Sequence, residues 1–234
     1  MNVKNEFSKH ANEYGNYNII QQIIAKALVR DIDGEPKKIL ELGCGSGQIF
    51  NHVNWDVDHY KAIDFSAQMC ALHPKGPNVE VACMSFDSSE FRDSLQQQYY
   101  DVVLSASALQ WSKDLPLVIE SLTSCTKEIN AVLFSSGTFK SIQNITQKPS
   151  PILDIDTIKH AFEQYCDCSF EVFTYDLKFD SKKELFAYIK NSGVSSSNST
   201  LCFKEAKHLY KSYDLDYLEF EVIFVKAFSK SYSS

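Results

Sequence analysis

No run of lysine or arginine stands out in the chain, and the formal charge is −7, from 23 Lys+Arg against 30 Asp+Glu. A nucleic-acid groove needs a basic stripe to meet phosphates, so nucleic acid is a poor candidate for the substrate. No Cys-x-x-Cys pair occurs among the seven cysteines, at 44, 70, 83, 125, 166, 168 and 202. Their odd count and spacing speak against a disulfide framework or a zinc knuckle and fit a reducing cytoplasm, and no metal is expected. No stretch approaches a membrane-spanning run, and Met1-Asn2-Val3-Lys4-Asn5-Glu6 carries charge where a signal peptide needs an apolar core. A cytoplasmic protein that is neither secreted nor embedded is expected. What remains is an ordinary globular composition, 44% hydrophobic and 23% charged over 234 residues, enough for one domain with an insertion.

Apolar positions alternate between two periods along the chain. Ile20, Ile23, Ile24, Ala27 and Leu28 have helical spacing within 17–30, and Gly34 with Pro36 ends that element. Strands are then expected at 37–42, 58–64, 79–84, 101–106 and 129–136, with helical patterns between them at 48–53, 66–72, 89–97 and from Asp114-Leu115-Pro116 onward. Strands regularly interleaved with helices predict an α/β fold with a mostly parallel sheet covered on both faces, because parallel neighbours need crossover connections. Residues 138–152, with Pro149 and Pro151, read as a loop, and a helix resumes at Ile155. Phe170 to Leu177 and Leu218 to Phe228 read as a last pair of strands, with helices near 181–191 and 202–212. The expected division is a helical lid over 1–36, a cofactor-binding core over 37–136, an insertion over the acceptor pocket at 137–167, and C-terminal strands and helices over 168–234.

The sharpest motif is Ile39-Leu40-Glu41-Leu42-Gly43-Cys44-Gly45-Ser46-Gly47. Glycines at alternate positions let the backbone turn sharply and approach a ligand, and the following helix directs free N–H groups at the same place. A dinucleotide fingerprint needs glycines at the first, third and sixth positions, but the sixth residue from Gly43 is Gln48. Glu41 would also repel a pyrophosphate and suits a cationic ligand. Asp64 closes the second strand, where a carboxylate can accept hydrogen bonds from two ribose hydroxyls or can cap the helix opening near Ser66.

The glycine motif, Asp64 and Tyr100-Asp101-Val102-Val103 together resemble successive motifs of class I S-adenosylmethionine-dependent methyltransferases, over about 37–136. That resemblance implies a Rossmann-like, seven-stranded, mostly parallel sheet with one antiparallel strand, and S-adenosylmethionine as cofactor. Phe7 to Tyr14 and Ala108-Leu109-Gln110-Trp111-Ser112-Lys113-Asp114-Leu115-Pro116 resemble the BioC-type malonyl-carrier-protein O-methyltransferases of biotin synthesis. The likeness extends more loosely through Ser181 to Val194 and Leu218 to Phe228. It implies that Tyr14 and His10 close over the cofactor, which Glu41, Gly43, Cys44, Gly45, Gly47, Asp64, Phe65, Met69 and Ser105 surround. The family carries an acidic residue after the third strand to hold adenine. This chain reads Ala82-Cys83-Met84-Ser85-Phe86-Asp87, so Met84, Ser85 and Asp87 are the candidates there, with Asp87 equally suited to cap the next helix.

The implied substrate is the free carboxylate of a malonyl thioester, on acyl carrier protein or coenzyme A, met by a monomeric enzyme. Gln110 and Trp111 would border the acceptor pocket. The resemblance implies a basic residue after the fifth strand to orient the carboxylate, but the two arginines, Arg30 and Arg92, lie elsewhere, leaving Lys140, Lys159 or His160. A carboxylic acid with a pKa of about 4 is ionised at neutral pH, so no catalytic base is needed. Two other readings stand beside this one: a methyltransferase of another small carboxylic acid, and a Rossmann-like protein that binds a nucleotide without catalysis.

Overall fold

The computed structural model describes residues 18–191 and 203–232. Fifteen regular elements are described: α1 (Ile19–Arg30), β1 (Lys38–Leu42), β2 (His59–Asp64), α2 (Ala67–Leu72), β3 (Val79–Cys83), α3 (Ser89–Ser94), β4 (Val102–Ala106), α4 (Leu115–Leu122), β5 (Glu128–Phe134), α5 (Lys140–Thr146), α6 (Ile155–Glu163), β6 (Cys166–Lys178), α7 (Lys182–Asn191), α8 (Phe203–Ser212) and β7 (Tyr217–Ser229). The strands form one seven-stranded sheet in the order β3-β2-β1-β4-β5-β7-β6. The first five pair in parallel, and β7 runs antiparallel to both β5 and β6.

Successive strand residues point to opposite faces, so the central strands must be apolar on both. Ile39, Val102, Leu104 and Val132 meet Ile20 and Ile24 of α1 on one face. Leu40, Val103 and Leu133 meet Ile119 of α4 and Phe162 of α6 on the other. Helix starts follow their chemistry: Asp114 accepts the Leu117 N–H at 3.1 Å with Pro116 in the first turn of α4, and Asp154 accepts the Thr157 N–H at 2.8 Å ahead of α6.

Two expected elements differ. The helix expected at 48–53 is only a 3₁₀ turn, Phe50–His52, because Val53 is already extended and Trp55 Nε1 donates to the Pro36 carbonyl at 2.9 Å, drawing the chain toward β2. The loop expected over 138–152 contains α5, bounded by left-handed Phe139 (φ 59°) and Gln147 (φ 55°). Polar composition hid this helix; Ile142 and Ile145 supply its packing edge, and Ser141 is anchored by the Glu219 carboxylate of β7. Between β5 and β6, α6 packs with α4 and β6 as part of a helical layer, whereas α5 contacts α8 and β7.

Candidate active site

The strand order reverses between β1 and β4, leaving a crevice at their carboxyl ends where ligands of open α/β sheets bind. The glycine turn fills its rim. Gly43 and Cys44 donate to the Ile63 carbonyl at 2.8 and 2.9 Å, which ties the turn to β2. Gly43 (φ 69°) lies against Ala108, where a methyl group would collide with the alanine Cβ, and a methyl on Gly47 (φ 90°) would meet Pro74 Cδ at 2.5 Å. Beyond Gly45, between them, there is nothing within 4 Å of an added Cβ, so its α-carbon borders open space.

Asp64 is nearly buried and uses both oxygens on backbone: Gly45 N–H donates to Oδ2 at 2.9 Å and Ser66 N–H to Oδ1 at 2.8 Å. The helix cap of α2 is Ser66, whose hydroxyl accepts the Met69 N–H. Asp64 therefore clamps the glycine turn instead of capping the helix, and each oxygen keeps a lone pair for a further donor. Next to it Phe65 is 79% exposed.

The cavity above the turn has a volume of about 180 Å³ and is walled by Glu41, Gly43, Cys44, Gly45, Met69 and Ser107, with Asn18 and Gln21 from the start of α1. Glu41 is its one charged side chain among the described residues. A wall with a carboxylate and no lysine or arginine is poorly suited to a pyrophosphate and well suited to a cation. Glu41 is 1% exposed; the Tyr60 hydroxyl donates to its Oε2 at 2.5 Å and His73 Nε2 lies 3.7 Å away. Burial pushes this carboxyl above the ordinary range, with His73 and Tyr60 pulling the other way. Burial likewise pushes the Cys44 thiol well up, so it sits in the wall as a neutral, inert group.

At the end of β3, Asp87 accepts the Ser112 hydroxyl at 2.7 Å and the Lys113 N–H at 3.2 Å. Ser88, not Asp87, caps α3. Asp87 thus ties the loop after β3 to the loop before α4. Met84 N–H donates to the Asp64 carbonyl, and Ser85 Oγ accepts the Asp87 N–H, so this short loop folds back on β2.

Ser105 does not reach the cavity: it is fully buried and donates to the Leu42 carbonyl at 3.0 Å. Ser107 takes that place, left-handed at φ 61° and braced by Gln110, whose amide donates to the Ser107 carbonyl at 2.8 Å. Gln110 Oε1 is buried without a partner among the described residues, and Trp111 packs toward the α1 face. Lys140 is exposed at the head of α5. Lys159 stands apart, its amine 5.7 Å from the Phe170 ring centre, and His160 lines a separate groove between α4 and α6. His10 and Tyr14 lie outside the described residues. Sequence reading missed Tyr60, His73, Asn18 and Gln21. The parallel register, Glu41 opposite Ala62, puts Tyr60 on the Glu41 side of β2, a relation that exists only once the strands pair; His73 follows α2 with no periodic signal at all.

Residues 40–139 match the family described as a methyltransferase domain. This stretch of the chain is a methyltransferase domain, and its cofactor is S-adenosylmethionine. The chain is similar to the malonyl-[acyl-carrier protein] O-methyltransferases of Bacillus anthracis, 26% identical with 84% of this chain and 81% of the relative covered, and of Haemophilus ducreyi, 26% identical with 83% and 80% covered. Among solved structures it resembles the YcgJ protein of Bacillus subtilis, TM-score 0.63 at 11% identity over 88% of this chain and 97% of the other. It also resembles the plantazolicin methyltransferase BpumL in complex with SAH, TM-score 0.50 at 15% identity over 94% and 89%. These two share the fold. Among the described residues there is no helix long and apolar enough to cross a membrane.

Proposed function

We propose that this methyltransferase esterifies the free carboxylate of a malonyl thioester, on acyl carrier protein or coenzyme A, as a step of biotin biosynthesis. One observation carries the reading: similarity to relatives named for malonyl-[acyl-carrier protein] runs over 84% of the chain, well beyond the methyltransferase domain at 40–139.

The donor site would use Gly43, Cys44, Gly45 and Gly47 to bring backbone under the amino-acid part of the cofactor, with Glu41 facing its positive charge. Asp64 would accept the ribose hydroxyls with the lone pairs left by Gly45 and Ser66. Phe65 and Met69 would flank the adenine, with Met84 and Ser85 at its edge, while Asp87 holds their loop. Tyr14 and His10, in the helical lid expected over 1–36, would close the site.

When bound, S-adenosylmethionine supplies an electrophilic methyl group on a sulfonium. The acceptor carboxylate is already ionised at neutral pH, so no side chain has to remove a proton. Attack merges opposite charges, and the residues that line the site act by aligning the oxygen and excluding water. Gln110 and Trp111 would border the acceptor. Lys140, at the head of the helix that follows β5, would be better placed to orient the carboxylate than Lys159, which lies over Phe170. Such a cation must orient more than it binds, since the charge it meets fades as the methyl transfers. The enzyme would work as a cytoplasmic monomer. At −7 its charge would repel an acidic carrier protein, so docking would rest on a local patch.

Transfer of a labelled methyl group from S-adenosylmethionine to malonyl-acyl carrier protein, malonyl-coenzyme A and free malonate tests the substrate. Labelling of a thioester and growth of a biotin-requiring strain lacking this step are expected. Labelling of the free acid alone would replace the reading with a free-acid methyltransferase.

A further inference from the structure

Under the glycine turn lies a buried cluster around Glu41, of which Tyr60 and His73 have no part in the methyl transfer as described. Glu41 is the charged group of the cavity wall, and a carboxylate this buried needs partners. Two reach the same oxygen: the Tyr60 hydroxyl at 2.5 Å, and His73 Nε2 at 3.7 Å, an ion-pair distance too long for a direct hydrogen bond. His73 Nδ1 lies 2.8 Å from the Pro74 carbonyl oxygen, which can only accept, so Nδ1 carries a proton and Nε2 turns to Glu41. Phe50 holds both rings, edge-on to Tyr60 at 4.9 Å and tilted on His73 at 5.4 Å. His73 also borders the turn itself: a methyl on Gly47 would lie 3.4 Å from its Cδ2. One imidazole thus touches the last glycine of the turn and faces its acidic residue, with Nε2 buried and no hydrogen-bond partner among the described residues.

We propose that His73 and Tyr60 are positioning residues for the cofactor: they set the orientation of Glu41 toward the cationic donor and, through one proton shared by Glu41 and His73, make cofactor affinity rise with pH. This rests on the cofactor reading of the glycine-turn cavity. With the proton on either partner the pair is neutral overall, and the wall becomes negative only when it leaves. A cation binds the negative wall better, so binding and proton release are linked. Among the described residues, the titratable groups facing the pair are Tyr60 and Asp64 of β2 and Cys44 of the turn, none of them basic. Burial raises Glu41, and for His73 the Glu41 carboxylate and the Pro74 carbonyl outweigh a burial effect of opposite sign and raise it too. Both shifts favour keeping the proton on the pair.

Calorimetric titration with S-adenosylmethionine between pH 6 and 9 tests this on the wild type, His73→Gln and Tyr60→Phe. Wild-type affinity should rise about tenfold over that range through the linked proton. His73→Gln, whose amide still reaches toward Glu41 but does not titrate, leaves the proton to Glu41 alone and should displace the profile to another pH. Tyr60→Phe should weaken binding about three- to tenfold throughout and keep the slope, as loss of one hydrogen bond to a charged group implies. Superimposable profiles in the wild type and His73→Gln, or unchanged affinity in Tyr60→Phe, overturn the proposal alone. No binding by folded wild type at any pH overturns the cofactor reading and this proposal with it. Should His73→Gln fail to fold, NMR titration of the wild-type His73 ring decides: the cofactor is expected to shift its midpoint to lower pH, and an unmoved midpoint refutes the link.

Discussion

The two sides of the crevice are held by different means. On the side proposed for the donor the shape is backbone: amides of Gly43 and Cys44 on the Ile63 carbonyl, Gly45 N–H on Asp64, and two glycines pressed against Ala108 and Pro74. On the side proposed for the acceptor, β7 side chains hold the loop after β5. The Glu221 carboxylate takes the Ser135 hydroxyl and the Gly137 N–H, and Glu219 takes Ser141. Gln143 closes the loop from within, donating to the carbonyls of Ser136 and Thr138. Backbone that already fits one cofactor leaves little to vary, whereas a loop hung on a few side chains can be reshaped by changing them. This is how one fold can keep a donor and exchange acceptors.

The largest effect expected lies in the glycines, and it divides them. Gly43→Ala forces a methyl group into Ala108 at a left-handed residue and should destabilise the fold by about 2–5 kcal/mol in urea denaturation. Gly45→Ala meets nothing within 4 Å, so its stability cost should stay near the about 1–2 kcal/mol of the left-handed backbone. Its S-adenosylmethionine affinity should nevertheless fall at least about tenfold, since the methyl enters the space meant for the ligand. Equal stability losses in the two variants would remove the distinction between a packed glycine and a ligand-facing one.

Glu221→Gln probes the other side. Weakening its contacts to Ser135 and Gly137 should lower kcat/KM for the acceptor about tenfold, roughly 1.4 kcal/mol of transition-state stabilisation, while the cofactor Kd stays put. A matching loss in cofactor affinity would mean that the two sides are one mechanical unit.

That division also governed what could be read from the linear sequence. The glycine turn, Asp64 and the alternation of strands and helices depend on residues close in the chain or on strand periodicity. The single antiparallel strand was implied by the family resemblance, and the order β3-β2-β1-β4-β5-β7-β6 is a long-range arrangement that the structure supplies. The α5 helix is long-range too, because Ser141 is held by Glu219, 78 residues away. For the same reason Ser105 looked like a cavity residue. Only the approach of the Leu42 carbonyl from β1, 63 residues earlier, shows that its hydroxyl is occupied inside the sheet. Tyr60 and His73 depend on a register and on a turn after α2 that no local pattern announces.

The smallest effect expected lies away from both sides. Asp154→Ala removes the cap of α6 and should cost about 0.5–2 kcal/mol of stability without altering either substrate's binding. The Thr157 N–H and hydroxyl hold the Asp154 carboxyl below its ordinary range. A depressed folded-state pKa contributes stability above the unfolded value of about 3.9 and loses it as pH falls through the folded one. The gap between wild type and Asp154→Ala should therefore be open at pH 7 and close in acid. A gap independent of pH would take the charge out of the capping interaction.

The cavity above Gly45, with Glu41 as its one charged group among the described residues, is the seat assigned to the methyl donor. Calorimetry of the wild type with S-adenosylmethionine, alone and against excess NAD, tests this most directly. Saturable one-to-one binding that NAD leaves untouched and S-adenosylhomocysteine competes away is the predicted result. No heat from folded protein, or displacement by NAD, would contradict it.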